Sequence, residues 1–245
     1  MKRVLLPFFL LPLLVGCGHK QARVQTPPPP GLPAPTETAK TPTSSKTPEA
    51  QRPTTSSPQV SIEKPLLTEL GIASWYGPPY HNRRAANGEV YDMNQMTAAH
   101  RTLPLNSMVR VTNIKTGRSA IVRITDRGPF IGERMLDLSL AAAKAVDVWT
   151  AGLAWVKMEV LETPTPISTG GKWAVQIGAF DTLRAATQMK QSLMARYSSA
   201  QVLEFAGPTG EWVRIRVPND DREVAEQISR TISTTEGGVF LVRLD

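Results

Sequence analysis

Three ionisable residues between Gly71 and Ser139 stand among small or turn-forming neighbours: Glu89 in Ala86-Asn87-Gly88-Glu89, His100 in Thr97-Ala98-Ala99-His100, and Asp126 in Asp126-Arg127-Gly128-Pro129. Small residues and tight turns let a polymeric ligand approach the backbone, and carboxyls and an imidazole can move protons at a bond that is being broken. The pattern fits a cleft with acid–base chemistry. Asp126 ends the β-branched run Ala120 to Thr125 and shares the parity of Val122 and Ile124, so it is expected to project from the apolar side at the strand's mouth. A carboxyl there loses hydration, which raises its pKa and lets it stay protonated as a donor near neutral pH. Asp-Arg-Gly-Pro is equally good turn chemistry, Glu89 equally a surface carboxylate, and His100 equally the satisfied end of a short element. Asp137, between Leu136 and Leu138, reads as a helix cap before it reads as a catalyst, and it is kept as a secondary candidate with Trp75 and Tyr76. Glu89, His100, Asp126 and His81 lack the spacing of a metal site, so no metal and no cofactor are expected.

The elements that must hold these residues are mostly strands. Val109 to Asn113 and Ala120 to Thr125 flank the turn Lys115-Thr-Gly117, and Trp155 to Val160 alternates apolar and polar residues. Two short helices are expected, around Thr97 to His100 and from Ser139 to Val146, the second capped by Asp137 or Ser139. A compact barrel of short strands is the natural closure for residues 66–163. Residues 164–171, rich in Pro, Thr and Gly, form a break.

Residues 172–245 read as strand, helix, strand, strand, helix, strand, with helices near Thr182 to Tyr197 and Asp221 to Thr231 and with Asp181 and Asp220 as N-caps. This βαββαβ order, of ferredoxin-like type, puts both helices on one face of a four-stranded sheet and leaves the other face open. Val213, Ile215 and Val217 must face the helices, so Trp212, Arg214 and Arg216 share the open face, with Gln176 beside them. An indole flanked by guanidinium and amide groups suits sugar rings, which offer C–H faces and rims of hydroxyls.

The amino-terminal part has a different character. Residues 1–16 combine Met1-Lys-Arg3 with a short apolar run and read as a signal peptide. The run ends in Leu14-Val15-Gly16-Cys17, a lipobox pattern, and Cys17 is the single cysteine of the chain, which marks it for lipidation and membrane anchoring. Gly18 at the next position fits sorting to the outer membrane. Residues 17–65 are dominated by Pro, Thr, Ser and Lys and are expected to be a disordered linker, able to reach about 150 Å if extended at about 3.1 Å per residue. The net charge of +7 is spread: +2 in the signal peptide, +3 over residues 18–65, +2 over residues 66–163 and zero over residues 172–245. No domain is basic, so a nucleic-acid partner is not expected.

Gly71-Ile-Ala-Ser-Trp-Tyr-Gly77, Ala86-Asn-Gly-Glu-Val-Tyr-Asp-Met93, Thr97-Ala-Ala-His100, Asp126-Arg-Gly-Pro-Phe130 and Leu136-Asp-Leu-Ser139 together resemble the rare lipoprotein A (RlpA) family of Gram-negative envelopes. The resemblance implies a six-stranded double-psi β-barrel and a lytic transglycosylase acting on peptidoglycan, with Asp126, Glu89 and His100 matching residues that matter in active relatives. Trp173-Ala-Val-Gln-Ile-Gly-Ala-Phe180 and Glu211-Trp-Val-Arg-Ile-Arg-Val217 resemble a SPOR domain, which implies binding to glycan strands stripped of stem peptides and enrichment at the septum, where division proteins are potential partners. The implied glycan-binding residues are Gln176, Trp212 and Arg214. Two positions depart from the barrel family's usual pattern: Ala85 replaces a Thr and Asn82 a Gly. A wall-binding protein without turnover is therefore the rival expectation.

Overall fold

The structure is a computed structural model that describes residues 64–198, 201–207 and 209–245. The expected signal peptide, the Cys17 anchor and almost all of the Pro-rich linker lie outside the described residues.

Six strands close into a barrel: β1 (Leu67–Trp75), β2 (Thr97–His100), β3 (Met108–Asn113), β4 (Ser119–Asp126), β5 (Arg134–Leu138) and β6 (Ala154–Glu162). They are ordered β1-β5-β2-β4-β3-β6, with β6 pairing back onto β1. The pairs β1/β5 and β2/β4 are parallel and the rest antiparallel. The alternation read in β6 is used as expected, since Val156, Met158 and Val160 are buried against Val109, Val111, Val122, Ile124, Leu136 and Leu138. At the turn between β3 and β4, Asn113 Oδ1 accepts from the N–H groups of Lys115 and Thr116, and its amide donates to the carbonyls of Val146 and Asp147. A helix, α1 (Leu140–Ala145), is capped by Ser139, whose Oγ accepts from Ala142 N–H at 3.1 Å.

Residues 97–100 correct an expectation. They form strand β2, not a helix, and are buried between β4 and β5. Alanine favours helix locally, but pairing on both edges decides the outcome, and its small side chains fit where three strands crowd. Asp137 likewise is not a cap, because it lies within β5 and Ser139 caps α1.

The remaining elements are β7 (Trp173–Phe180), α2 (Leu183–Arg196), β8 (Gln201–Gly207), β9 (Gly210–Arg216), α3 (Arg222–Thr231) and β10 (Gly238–Arg243). The antiparallel sheet has the order β10-β7-β9-β8, with Val175, Ile177, Val213 and Ile215 buried with Ala186, Leu193, Ala225 and Ile228 of the helices. The caps are one residue later than expected. Thr182 Oγ1 accepts from Ala185 N–H, and Asp221 accepts from the N–H groups of Glu223 and Val224. Asn219 and Asp220 are spent on the preceding turn at φ of 58° and 52°, so the helix starts after them.

The sheet face opposite the helices is not open. Trp212 and Gln176 are only 4% and 2% exposed, because this face packs on the barrel. Phe130, in the loop after β4, has its ring centroid 5.4 Å from that of Trp212 and 5.6 Å from that of Phe240. Main-chain bonds join the same surfaces, from Arg243 N–H to the Arg101 carbonyl at 3.0 Å and from Leu105 N–H to the Asp245 carbonyl at 3.1 Å. Arg127 donates to the carbonyls of His100 and Asp245. Parity sorted the two faces of the sheet correctly, but strand periodicity carries no information about a neighbouring surface that covers one of them.

Candidate active site

Asp126 reaches its position by a break in pairing. In the β2/β4 ladder Ala98 pairs with Ile124 and Ala99 pairs with Asp126, so Thr125 is skipped. Such a bulge moves the next side chain to the other face. Asp126 therefore shares the side of Ala99 and not that of Ile124, which corrects the parity expected from the sequence. On the other edge of β2, Ala99 pairs with Asp137 of β5, and Asp137 pairs with Ser74 of β1. Ser74, Asp137, Ala99 and Asp126 form one row across four strands. Two carboxyls flank an alanine, with their backbones two strand spacings or about 10 Å apart.

Both carboxyls line a cavity of about 500 Å³ at the barrel's mouth, with Tyr76, Ala99 and Phe130 among its walls. That size is within the usual range for a small-molecule site. Burial raises the pKa of Asp126, opposed by N–H donation from Arg127 at 2.8 Å and Ala86 at 3.0 Å, and by the Arg127 charge. Burial also raises the pKa of Asp137, opposed by hydrogen bonding from Ser74 and by Arg134 at 3.3 Å. A carboxyl that resists ionisation in a cavity is a proton donor. Gly128, at φ 136°, allows the sharp turn that carries the chain from Asp126 to Phe130. Tyr76 stacks on Tyr91 with centroids 4.3 Å apart, and burial raises its pKa, so it remains a phenol facing the same space.

The other expected residues are placed elsewhere. Glu89 is exposed and makes a two-pronged ion pair with Arg123 at 2.9 and 2.7 Å, outside the cavity lining. Its carboxylate is held below the usual range by that hydrogen-bonded guanidinium. His100 is buried on the core side, paired with Leu136. Its Nδ1 accepts from the N–H groups of Thr102 and Leu103, while Nε2 lies 3.9 Å from Glu69, and burial lowers its pKa. That is a neutral imidazole organising the turn after β2. Trp75 packs against the barrel core, whereas Tyr76 lines the cavity together with Tyr80, Tyr91, Phe130 and Trp212.

Asp137, the secondary candidate, lines the cavity with Asp126. Its signal was present: between core residues Leu136 and Leu138 on a strand, it must face the opposite side from both. Gln176, Trp212 and Arg214 also line this cavity, with Arg214 donating to Gln176 Oε1 through Nε at 3.2 Å and Nη2 at 2.6 Å.

A closed six-stranded barrel with a cavity at its mouth that holds two carboxyls among arginines and aromatic rings, followed by a βαββαβ sheet, defines a double-psi β-barrel protein with a SPOR-type second part. Residues 68–158 match the family described as "Lytic transglycolase" and residues 169–243 match the SPOR domain. The chain carries these two family domains in this order and is similar to proteins named RlpA. It is 38% identical over 156 residues to "Endolytic peptidoglycan transglycosylase RlpA" of Campylobacter jejuni subsp. jejuni, covering 54% of this chain and 55% of that protein. The protein of the same name from Vibrio cholerae is 39% identical over 150 residues, covering 58% of this chain and 57% of its own. That from Neisseria meningitidis serogroup A is 55% identical over 93 residues, covering 38% and 39%. The chain thus spans about half or less of the length of the curated relatives it matches.

Proposed function

We propose that this chain is a lytic transglycosylase that cleaves peptidoglycan glycan strands lacking stem peptides. The observation that carries the reading is the pair of buried carboxyls with raised pKa, Asp126 and Asp137, in a cavity with aromatic walls. The names and similarity of the relatives, and the SPOR match, support it. In the reaction, the Asp126 carboxyl protonates the glycosidic oxygen after an N-acetylmuramic acid, and the C1–O bond breaks. The resulting carboxylate takes the proton of that sugar's own C6 hydroxyl as its oxygen bonds to C1, which leaves a 1,6-anhydro end and consumes no water. One carboxyl acts as acid and then base, unlike the paired roles of typical glycosidases. Asp137 lies across Ala99, where its charge state bears on the developing positive sugar.

The chain acts from the periplasmic face of the outer membrane, anchored by lipid on Cys17 and enriched at the septum. Replacing Cys17 by Ser is expected to block lipidation and processing at Gly16-Cys17 and to release the protein from the membrane fraction, since stable anchoring needs more than one acyl chain. Normal processing and fractionation of that variant would remove the anchor from the account.

The deciding experiment incubates the full chain with sacculi stripped of stem peptides and analyses the released sugars by mass. Anhydro-ended fragments support the proposal, and hydrolytic reducing ends would replace its mechanism. One observation favours a second reading, glycan binding without turnover: Ala85 lies in the cavity wall and brings no hydroxyl where the family usually has Thr. Retention on the sacculi with no fragments of either kind would establish it.

A further inference from the structure

The sheet of residues 173–243 and the barrel do not present two separate sugar surfaces. Gln176, Trp212 and Arg214 on the sheet line the same 500 Å³ cavity as Asp126 and Asp137 on the barrel. In this arrangement a strand lying outside the molecule cannot reach Trp212, which is 4% exposed under Phe130. The cavity is the route by which a ligand meets the Gln176 and Arg214 pair. The joint that creates the cavity is specific, with two main-chain hydrogen bonds and the Arg127 guanidinium bridging carbonyls of both parts. The barrel wall supplies both carboxyls, phenols and the guanidiniums of Arg83, Arg84, Arg127 and Arg134, and the sheet wall adds the Arg214 guanidinium and the Gln176 amide, which can meet hydroxyl and acetamido oxygens.

We propose that the C-terminal sheet is the second wall of the cleavage cavity, so that Gln176 and Arg214 hold sugars of the very strand that Asp126 cuts and fix which bond lies over it. This rests on the transglycosylase reading and assigns these side chains to substrate positioning at the reaction site, in place of attachment at a distance from it. A sugar seated on the sheet wall sets the register of the strand, and thus the lengths of the fragments released.

The test uses the full chain in detergent and short soluble glycan strands without stem peptides, for which attachment to a wall confers no advantage. Arg214→Ala and Gln176→Ala are expected to raise KM by about tenfold or more and to shift the distribution of fragment lengths, with the pH profile of kcat unchanged. Lys190→Ala, on α2, changes neither. Calorimetry with the same strands gives a readout free of turnover. A change on the sheet wall (Arg214→Ala) and a change on the barrel wall (Ala99→Leu, or the shape-preserving Asp137→Asn) should each weaken one and the same binding event by about tenfold. The proposal is overturned if the barrel-wall variants bind short strands as the unaltered protein does. It is equally overturned if Arg214→Ala loses only retention on whole sacculi while KM and fragment lengths stay fixed. If the unaltered protein binds but releases no anhydro ends, the enzymatic reading falls and the calorimetric comparison still decides whether the two walls form one site.

Discussion

At the scale of single residues, the skipped pairing at Thr125 has the largest effect, because it turns Asp126 out of the core and into the cavity. Asp126→Asn keeps the shape and the acceptor for the Ala86 and Arg127 N–H groups but has no proton to transfer. Cleavage measured by anhydro-end release should fall by about two orders of magnitude or more while strand binding persists. The pH dependence follows from the raised pKa. The protonated acid is depleted as pH rises through the folded-state value, so the rate of cleavage should decline on the alkaline side. Folding responds to the same ionisation, since a carboxyl whose folded pKa is raised contributes stability below its unfolded value that is lost as pH climbs through the folded one. The Asn variant escapes that loss. Its Tm should therefore exceed that of the unaltered protein at neutral pH, and the difference should vanish below the ordinary value of 3.8. Glu89→Gln should alter cleavage by less than about threefold, in keeping with an exposed ion pair of small energetic weight.

At the scale of elements, capping offers a direct check. Asp221→Ala should lower stability by about 1 kcal/mol, seen as a reduced midpoint in thermal unfolding, whereas Asp220→Ala should not remove a cap. The comparison also shows where sequence reasoning stops. Val156, Met158 and Val160 declared their strand and face through alternation, and Val213 and Ile215 did the same, because period-two burial is a local property. Residues 97–100 did not, since an alanine-rich tetrapeptide becomes a strand only through partners 20 to 40 residues away in β4 and β5. The bulge at Thr125 was illegible for the same reason. Family motifs identified the segments that carry Asp126, Glu89 and His100, but the partners of the last two, Arg123 for Glu89 and the Leu103 N–H for His100, come only from the fold.

At the scale of the molecule, the covered sheet face changes what a substitution means. Trp212→Ala removes a ring packed on Phe130, so it should loosen the joint between the barrel and the sheet. Phe130→Ala removes the other ring of that contact and should broaden or split the thermal transition relative to that of the unaltered protein. A single sharp transition in Phe130→Ala would show that the aromatic contact adds little to the cooperativity. The sequence put Gln176, Trp212 and Arg214 on one face of the sheet, and the structure has all three lining one cavity. What it could not give is the surface opposite them, because contacts between parts of a chain leave no periodic trace.

Arg243 is almost wholly buried, donating to the Pro166 carbonyl and the Thr165 hydroxyl, while Trp173 Nε1 donates to the Gly170 carbonyl. The Pro- and Gly-containing stretch before residue 172 is thus built into the carboxyl-terminal part, although its composition invites a boundary there. A fragment begun at Lys172 would leave a guanidinium stripped of two acceptors and an indole stripped of one, with Trp212 newly bared to water. Affinities measured on such a fragment would describe a surface that the intact chain keeps shut. Fragments meant to represent this half of the molecule should begin ahead of Thr165.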